Sequence, residues 1–238
     1  MARPPYFVHM EQVNLLAGRP LKQPPTFHVL QPKDFQKRMK EGLVIDTRSP
    51  EAFAGAHIEG SYNIWLDGVP AFGGWMASEN TRIFLVVDSP EAMETAVKSL
   101  ARIGIDTVEG VLTKGVDAWQ EQGLPIESLA TTSAGETANW MQQGRVHVLD
   151  VRDDYEWDEK HIPGAVHRFV GYLEESLPQL PKDSEIVAHC SVGHRSGLAV
   201  SILKRHGFTR AYNMLGGITA WEKLGLPLER SGEQKNSE

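Results

Sequence analysis

A single cysteine, Cys190, stands among the 238 residues, so no disulfide can close within one chain. That usage fits a reducing compartment. Long apolar runs are also missing. The longest strongly apolar stretch, Ile83-Phe84-Leu85-Val86-Val87, is far shorter than the roughly 20 residues that span a bilayer. The opening Met1-Ala2-Arg3-Pro4-Pro5-Tyr6 has no apolar secretory core. Basic excess is absent too: 24 Lys and Arg face 31 Asp and Glu, a net charge of −7. That balance offers no footprint for nucleic acid or an anionic membrane. Lys204-Arg205-His206 with Arg210 reads instead as a basic helix C-terminus. No His-x-His-x-Asp-His run or similar metal constellation occurs, so neither a metal nor another resident cofactor is expected. With 41% hydrophobic and 23% charged residues, the expectation is a soluble, cytoplasmic chain of one large or two small domains.

What is present is a repeat. Leu43-Val44-Ile45-Asp46-Thr47-Arg48 is echoed by His147-Val148-Leu149-Asp150-Val151-Arg152, and Ala56-His57-Ile58-Glu59-Gly60 by Lys160-His161-Ile162-Pro163-Gly164. Both echoes lie 104 residues apart. Later, Lys114-Gly115-Val116-Asp117-Ala118-Trp119 matches Gly216-Gly217-Ile218-Thr219-Ala220-Trp221, and a Gly-Leu-Pro follows each. Two copies of about 100 residues are a duplication rather than a solenoid.

Strands are expected at 43–45, 83–87, 146–149, 185–189 and 210–213, where short apolar runs occur. Helices are expected at 32–41, 90–103, 115–122, 133–143, 196–206 and 217–224. Their alternation argues for an α/β fold with mainly parallel sheets flanked by helices. The divisions follow composition: an extended lead-in at 1–28, a first domain at 29–125 and a linker at 126–133. A second domain at 134–230 and a disordered tail at 231–238 complete the chain.

The second copy places Cys190 at a strand-to-helix turn, in His189-Cys190-Ser191-Val192-Gly193-His194-Arg195-Ser196. Backbone N–H groups and the positive end of a helix converge at such a turn. A free thiol is only about 3% thiolate at pH 7, and the thiolate is the reactive species. A helix end and an arginine both favour that anion. In the first copy, counting back from Gly104 and Gly207, Cys190 falls opposite Val87. The run there is Asp88-Ser89-Pro90-Glu91-Ala92-Met93-Glu94, with neither thiol nor arginine and with three carboxylates. Only the second copy is expected to be catalytic; the first packs and shapes.

Together these motifs resemble a tandem-domain rhodanese. The resemblance rests on Asp150-Val151-Arg152, His161-Ile162-Pro163-Gly164-Ala165, the Cys-x-x-Gly-x-Arg-Ser loop and Gly216-Gly217-x-x-Ala220-Trp221. It implies two rhodanese-like domains, each a mainly parallel five-stranded sheet flanked by helices. It also implies a sulfurtransferase that moves sulfane sulfur from thiosulfate or a small persulfide to cyanide, glutathione or another thiol. Cys190 would carry the sulfur as a covalent persulfide, with Arg195 as its catalytic partner. Ser191, Val192, Gly193, His194 and Ser196 would form the binding loop. Ser196 would also cap the helix, and Asp150 with Arg152 would form a buried structural contact beneath. His189 reads as a structural strand-end residue.

Two alternatives stand beside this. A non-catalytic sulfane-sulfur carrier or regulatory module would use the same cysteine. Phosphatases with His-Cys-x5-Arg share the fold, but here four residues, 191–194, separate cysteine from arginine. That shorter cradle suits sulfur over a tetrahedral phosphate. The lead-in Arg3-Pro4-Pro5-Tyr6-Phe7 and Met10-Glu11-Gln12-Val13-Asn14, with Trp65-Leu66-Asp67-Gly68 to Trp75, is similar to the rhodanese part of metallo-β-lactamase-fold fusions. It implies a hydrolase or dioxygenase of that fold as a partner, alongside small sulfur-containing anions and thiols.

Overall fold

The computed structural model describes residues 3–15, 25–112 and 114–231. The chain divides into two compact units, Arg3–Ser128 and a second beginning at Leu129. The first holds α1 (Tyr6–Leu15), β1 (Val29–Leu30), α2 (Pro32–Arg38), β2 (Leu43–Asp46), α3 (Pro50–Gly55) and β3 (Tyr62–Asn63). It continues with α4 (Val69–Met76), β4 (Ile83–Val86), α5 (Pro90–Arg102), β5 (Val108–Leu112) and α6 (Gly115–Glu121). The second holds β6 (Ala130–Thr132), α7 (Ala134–Gln142), β7 (His147–Asp150), α8 (Asp154–Glu159) and β8 (Val166–His167). After these come β9 (Ile186–His189), α9 (His194–Arg205), β10 (Ala211–Met214) and α10 (Gly217–Lys223).

Each unit builds one five-stranded sheet, in the orders β1-β5-β4-β2-β3 and β6-β10-β9-β7-β8. Every strand pairing is parallel. The fold is therefore α/β, as the alternating pattern implied. The central strands β4 and β9 are buried along their whole length. Unbroken apolar runs such as Ile83-Phe84-Leu85-Val86 follow from a parallel sheet covered on both faces.

Local chemistry sets the helix starts. Ser89 caps α5 by accepting the Ala92 N–H at 3.1 Å, with Pro90 at the first helical position. Ser133 and Glu136 close a capping box on α7. In the first core Phe35 meets Phe84 and Trp119 edge to face, at 5.6 and 6.2 Å. The second core packs Val148, Val187, Met214 and Trp221. Each closing tryptophan donates its indole N–H to a proline carbonyl at 2.8 Å, Trp119 to Pro125 and Trp221 to Pro227.

The structure departs from the sequence reading in several places. Residues 6–15 of the expected extended lead-in form helix α1, with the Tyr6 ring lying against Gly74 of α4. The expected linker 126–133 contains β6, which pairs with β10 and belongs to the second sheet. Helices α3, α4 and α8 and strands β1, β3, β5, β6 and β8 were not anticipated. These are two to eight residues long, too short to display a period. Residues 16–24 and most of the expected disordered tail, 232–238, lie outside the described residues. Among the described residues no helix is long and apolar enough to cross a membrane.

Candidate active site

Helix α10 explains the shape of the Cys190 loop. Its first N–H groups bind loop carbonyls: Gly216 to Val192 at 3.1 Å, Ile218 to Cys190 at 2.9 Å and Thr219 to Ser191 at 3.1 Å. With the carbonyls drawn to one side, the loop N–H groups turn to the other. Gly217, at φ +51°, sits so close beneath that a Cβ would lie 2.3 Å from the Cys190 carbonyl oxygen. That close approach is why the closing motif carries glycine there.

The thiol sits at this turn, directly after β9, and Cys190 is only 1% exposed. Gly193, at φ +118°, is the N-cap of α9, and its N–H donates to the Cys190 Sγ at 3.1 Å. Asn213 of β10 donates from its side chain to the Gly193 carbonyl at 3.0 Å and accepts the Ser196 hydroxyl at 2.7 Å. The Ser196 Oγ lies 3.6 Å from the sulfur. Ser196 was expected to cap the helix. The helix starts at His194, two residues earlier, so Ser196 is inside the first turn and bridges Asn213 to the thiol. His194 and Val192 are exposed at the loop surface.

Arg195 is engaged by carboxylates. Its guanidinium donates to both Glu156 oxygens, at 2.5 and 2.8 Å, to Asp153 at 3.3 Å and to the Ser191 hydroxyl at 2.8 Å. The Ser191 hydroxyl donates to Glu156 at 2.8 Å. Burial works to raise the Glu156 carboxyl, but Arg195, Ser191 and the Asp153 N–H outweigh it and hold the pKa at about 2. Burial opposes the Arg195 charge too, yet Glu156 and the Cys190 thiolate push its pKa above the usual arginine value. Asp153 is raised by its own burial, against the pull of Arg195.

Beneath the loop, Asp150 and Arg152 form the expected buried ion pair, with contacts from 2.5 to 3.0 Å. Arg152 also reaches the Lys160 carbonyl at 2.7 Å, tying β7 to the residue after α8. His189 is fully buried, with Nδ1 3.3 Å from the Cys190 carbonyl and Nε2 3.5 Å from Asp150. Burial lowers its pKa against the Asp150 charge. The Asp150 carboxyl is held below the usual carboxylate range against its burial, by His189 and by the Arg152 fork.

The structure thus gathers Cys190, Ser191, Gly193, Arg195 and Ser196 into one network, with Asp150 and Arg152 below. Sequence reasoning missed Asp153, Glu156 and Asn213. Glu156 had a signal: 104 residues earlier stands Ala52, so the carboxylate is missing where the thiol is also missing. Among the described residues no group of three or more His, Cys, Asp or Glu side chains could hold a metal.

The family model described as "Rhodanese-like domain" matches twice, at residues 31–122 and 133–224. A probable adenylyltransferase/sulfurtransferase, MoeZ of Mycobacterium tuberculosis, is 33% identical over 146 residues, 58% of this chain and 37% of that protein. The putative sulfur carrier protein YrkF of Bacillus subtilis is 36% identical over 76 residues, 32% of this chain and 41% of its own length. The putative sulfurtransferase YtwF of Bacillus subtilis is 40% identical over 99 residues, 42% of this chain and 93% of that protein. The chain thus spans well under half of the first two relatives.

Proposed function

This chain belongs to the rhodanese-like domain family, and from that premise we propose that it is a sulfurtransferase in which only the second domain carries sulfur. The observation that supports it most is the Gly193 N–H at 3.1 Å from the Cys190 sulfur, in a loop whose carbonyls are held away by α10. Such a cradle stabilises a thiolate and then the persulfide anion built on it. Cys190 attacks the outer sulfur of a donor, thiosulfate or a small persulfide, and the inner group leaves. A thiophilic acceptor, cyanide or a thiol such as glutathione, then attacks the outer sulfur of the Cys190 persulfide and frees the cysteine. Gly193 holds the anion, Ser196 packs its hydroxyl beside it, and Arg195 holds the loop in shape through Glu156 and Ser191.

The first domain keeps the scaffold and lacks this chemistry, since Val87 and Asp88 occupy the places of Cys190 and Ser191. The lead-in's resemblance supports a metallo-β-lactamase-fold enzyme as the companion protein, and the lone cysteine fits a reducing, cytoplasmic setting for the pair. Intact-mass analysis after incubation with thiosulfate or glutathione persulfide tests the reading. An added sulfur of about 32 Da on Cys190, removed by cyanide or glutathione, is the expected result. No adduct from either donor overturns the proposal. An adduct that no acceptor removes shifts it to a carrier role, the role YrkF of Bacillus subtilis is named for. Aryl phosphate hydrolysis lost in Cys190→Ser would make the domain a phosphatase instead.

A further inference from the structure

We infer that the Cys190 site takes its sulfur from an organic persulfide, R–S–SH, in preference to the thiosulfate dianion; this rests on the sulfurtransferase reading and names its donor class. One guanidinium, Arg195, contacts two carboxylates, Glu156 at 2.5 and 2.8 Å and Asp153 at 3.3 Å. The Ser191 hydroxyl already accepts from Arg195 and donates its hydrogen bond to Glu156, so it does not donate to a sulfonate. Below the loop, Asp150 and Arg152 cancel each other, and burial keeps His189 neutral. The positive field left at the sulfur comes from the loop N–H groups and the N-terminus of the 12-residue helix α9. A helix end supplies about half a unit charge. That suits one sulfur anion and leaves the second charge and three oxygens of thiosulfate uncompensated. At the loop surface Val192, 48% exposed, presents an apolar side chain to the incoming donor.

The step balances without any further reagent. The Cys190 thiolate attacks the outer sulfur of R–S–SH, a new S–S bond forms, and the original S–S bond breaks. R–S⁻ leaves with the electron pair, while the outer sulfur stays on Cys190 with its proton.

The test compares kcat/KM for thiosulfate and for glutathione persulfide, with cyanide as acceptor, in the full chain. The wild-type protein is expected to favour the persulfide by at least about tenfold, the scale of one poorly compensated charge at a partly buried site. Glu156→Gln removes the charge that neutralises Arg195 while keeping a side chain suited to the helix start. It is expected to move the donor ratio toward thiosulfate by about tenfold, even where both rates fall. Asp153→Asn, which leaves the bidentate pair in place, moves it the same way by less and decides the matter should Glu156→Gln not fold. A wild-type preference for thiosulfate, or a ratio that neither variant moves, overturns the donor assignment. Loss of transfer from both donors in the wild type would instead overturn the sulfurtransferase reading itself.

Discussion

The two domains share a frame of sheet and flanking helices, and around the thiol they differ in one connected set of residues. Asp46 grips Arg48 as Asp150 grips Arg152, and each arginine reaches a carbonyl eight residues on, Ala56 at 2.6 Å and Lys160 at 2.7 Å. His57 stacks on Phe53 and His161 on Trp157, and both rings bond the carbonyl four residues back. Gly115 lies against the Val87 carbonyl as Gly217 lies against that of Cys190. The first domain has Val86, Val87, Asp88 and Ala52 where the second has His189, Cys190, Ser191 and Glu156. The ion pair, the histidine and the glycine therefore serve the fold, because they persist where no thiol exists. On the proposed function, the chemistry resides in the set that the first domain lacks. Burial raises Asp46, with the nearby Asp88 adding to it, whereas Asp150 is held low. The same frame thus sits in opposite electrostatic settings.

The strongest way to break the comparison is to move the nucleophile. Cys190→Ser is expected to lower sulfur transfer by at least ~10³-fold, since the covalent route is lost. Val87→Cys added to that variant is not expected to restore it. Val87 precedes a loop with Asp88 in it, an Ala52 opposite, and no arginine five residues on. Persulfide mass and thiocyanate release are the measurements, and activity regained by the double variant would show that position alone makes the site.

A second test presses the shared frame. Gly217→Ala puts a methyl 2.3 Å from the Cys190 carbonyl oxygen at φ +51°, and Gly115→Ala puts one 2.8 Å from that of Val87 at φ +60°. Strain plus displacement of backbone is expected to cost about 3 kcal/mol in either domain. Thermal unfolding should show both losses. Only Gly217→Ala should also remove transfer activity at temperatures where the protein stays folded. Equal activity losses from both variants would mean that the first domain acts in the chemistry.

The frame was legible in the sequence because its parts are periodic or repeated. The central strands 43–46, 83–86, 147–150 and 186–189 are apolar runs, and helices such as Pro90–Arg102 carry an amphipathic stripe. Cys190 and its loop were legible from glycine and arginine at fixed offsets. The edge strands Tyr62–Asn63 and Val166–His167 were not, since two residues show no alternation. Nor were the partners of Arg195. Glu156 is 39 residues away along the chain, and only the tertiary fold brings it to 2.5 Å. An arginine read as an open cation is in fact matched by carboxylates, and that changed the picture of the donor.

Acid should separate the domains in sequence. The Glu156 carboxyl sits at about 2 in the fold, against an ordinary 4.5. A depressed carboxyl contributes stability that is complete above its unfolded value and disappears as pH falls toward the folded one. The contribution, about 3 kcal/mol, is therefore expected to fade between pH 4.5 and 2. The first domain has Ala52 there, and its Asp46 shifts upward, which makes protonation easier in the folded state. Hydrogen exchange read by domain across this range should show the second opening first. Glu156→Gln should flatten the second domain's response, and an unchanged acid profile would sever Glu156 from the stability of the loop.

The smallest effect concerns a turn at which the two frames differ. The second domain enters α10 through Gly216 at φ +76°, whereas the first enters α6 through Lys114 at φ +54°. Lys114 is the only non-glycine residue with positive φ among the described residues. A side chain in the left-handed region costs about 1–2 kcal/mol, and the greater chain entropy of an unfolded glycine offsets about half of that. Lys114→Gly is therefore expected to stabilise the first domain by about 0.5–1 kcal/mol, seen as a rise of a few degrees in its unfolding midpoint. Sulfur transfer at Cys190 should not change. A loss of stability would mean that the lysine side chain contributes more than its backbone strain costs, and that the first domain keeps it for a contact the second does not need.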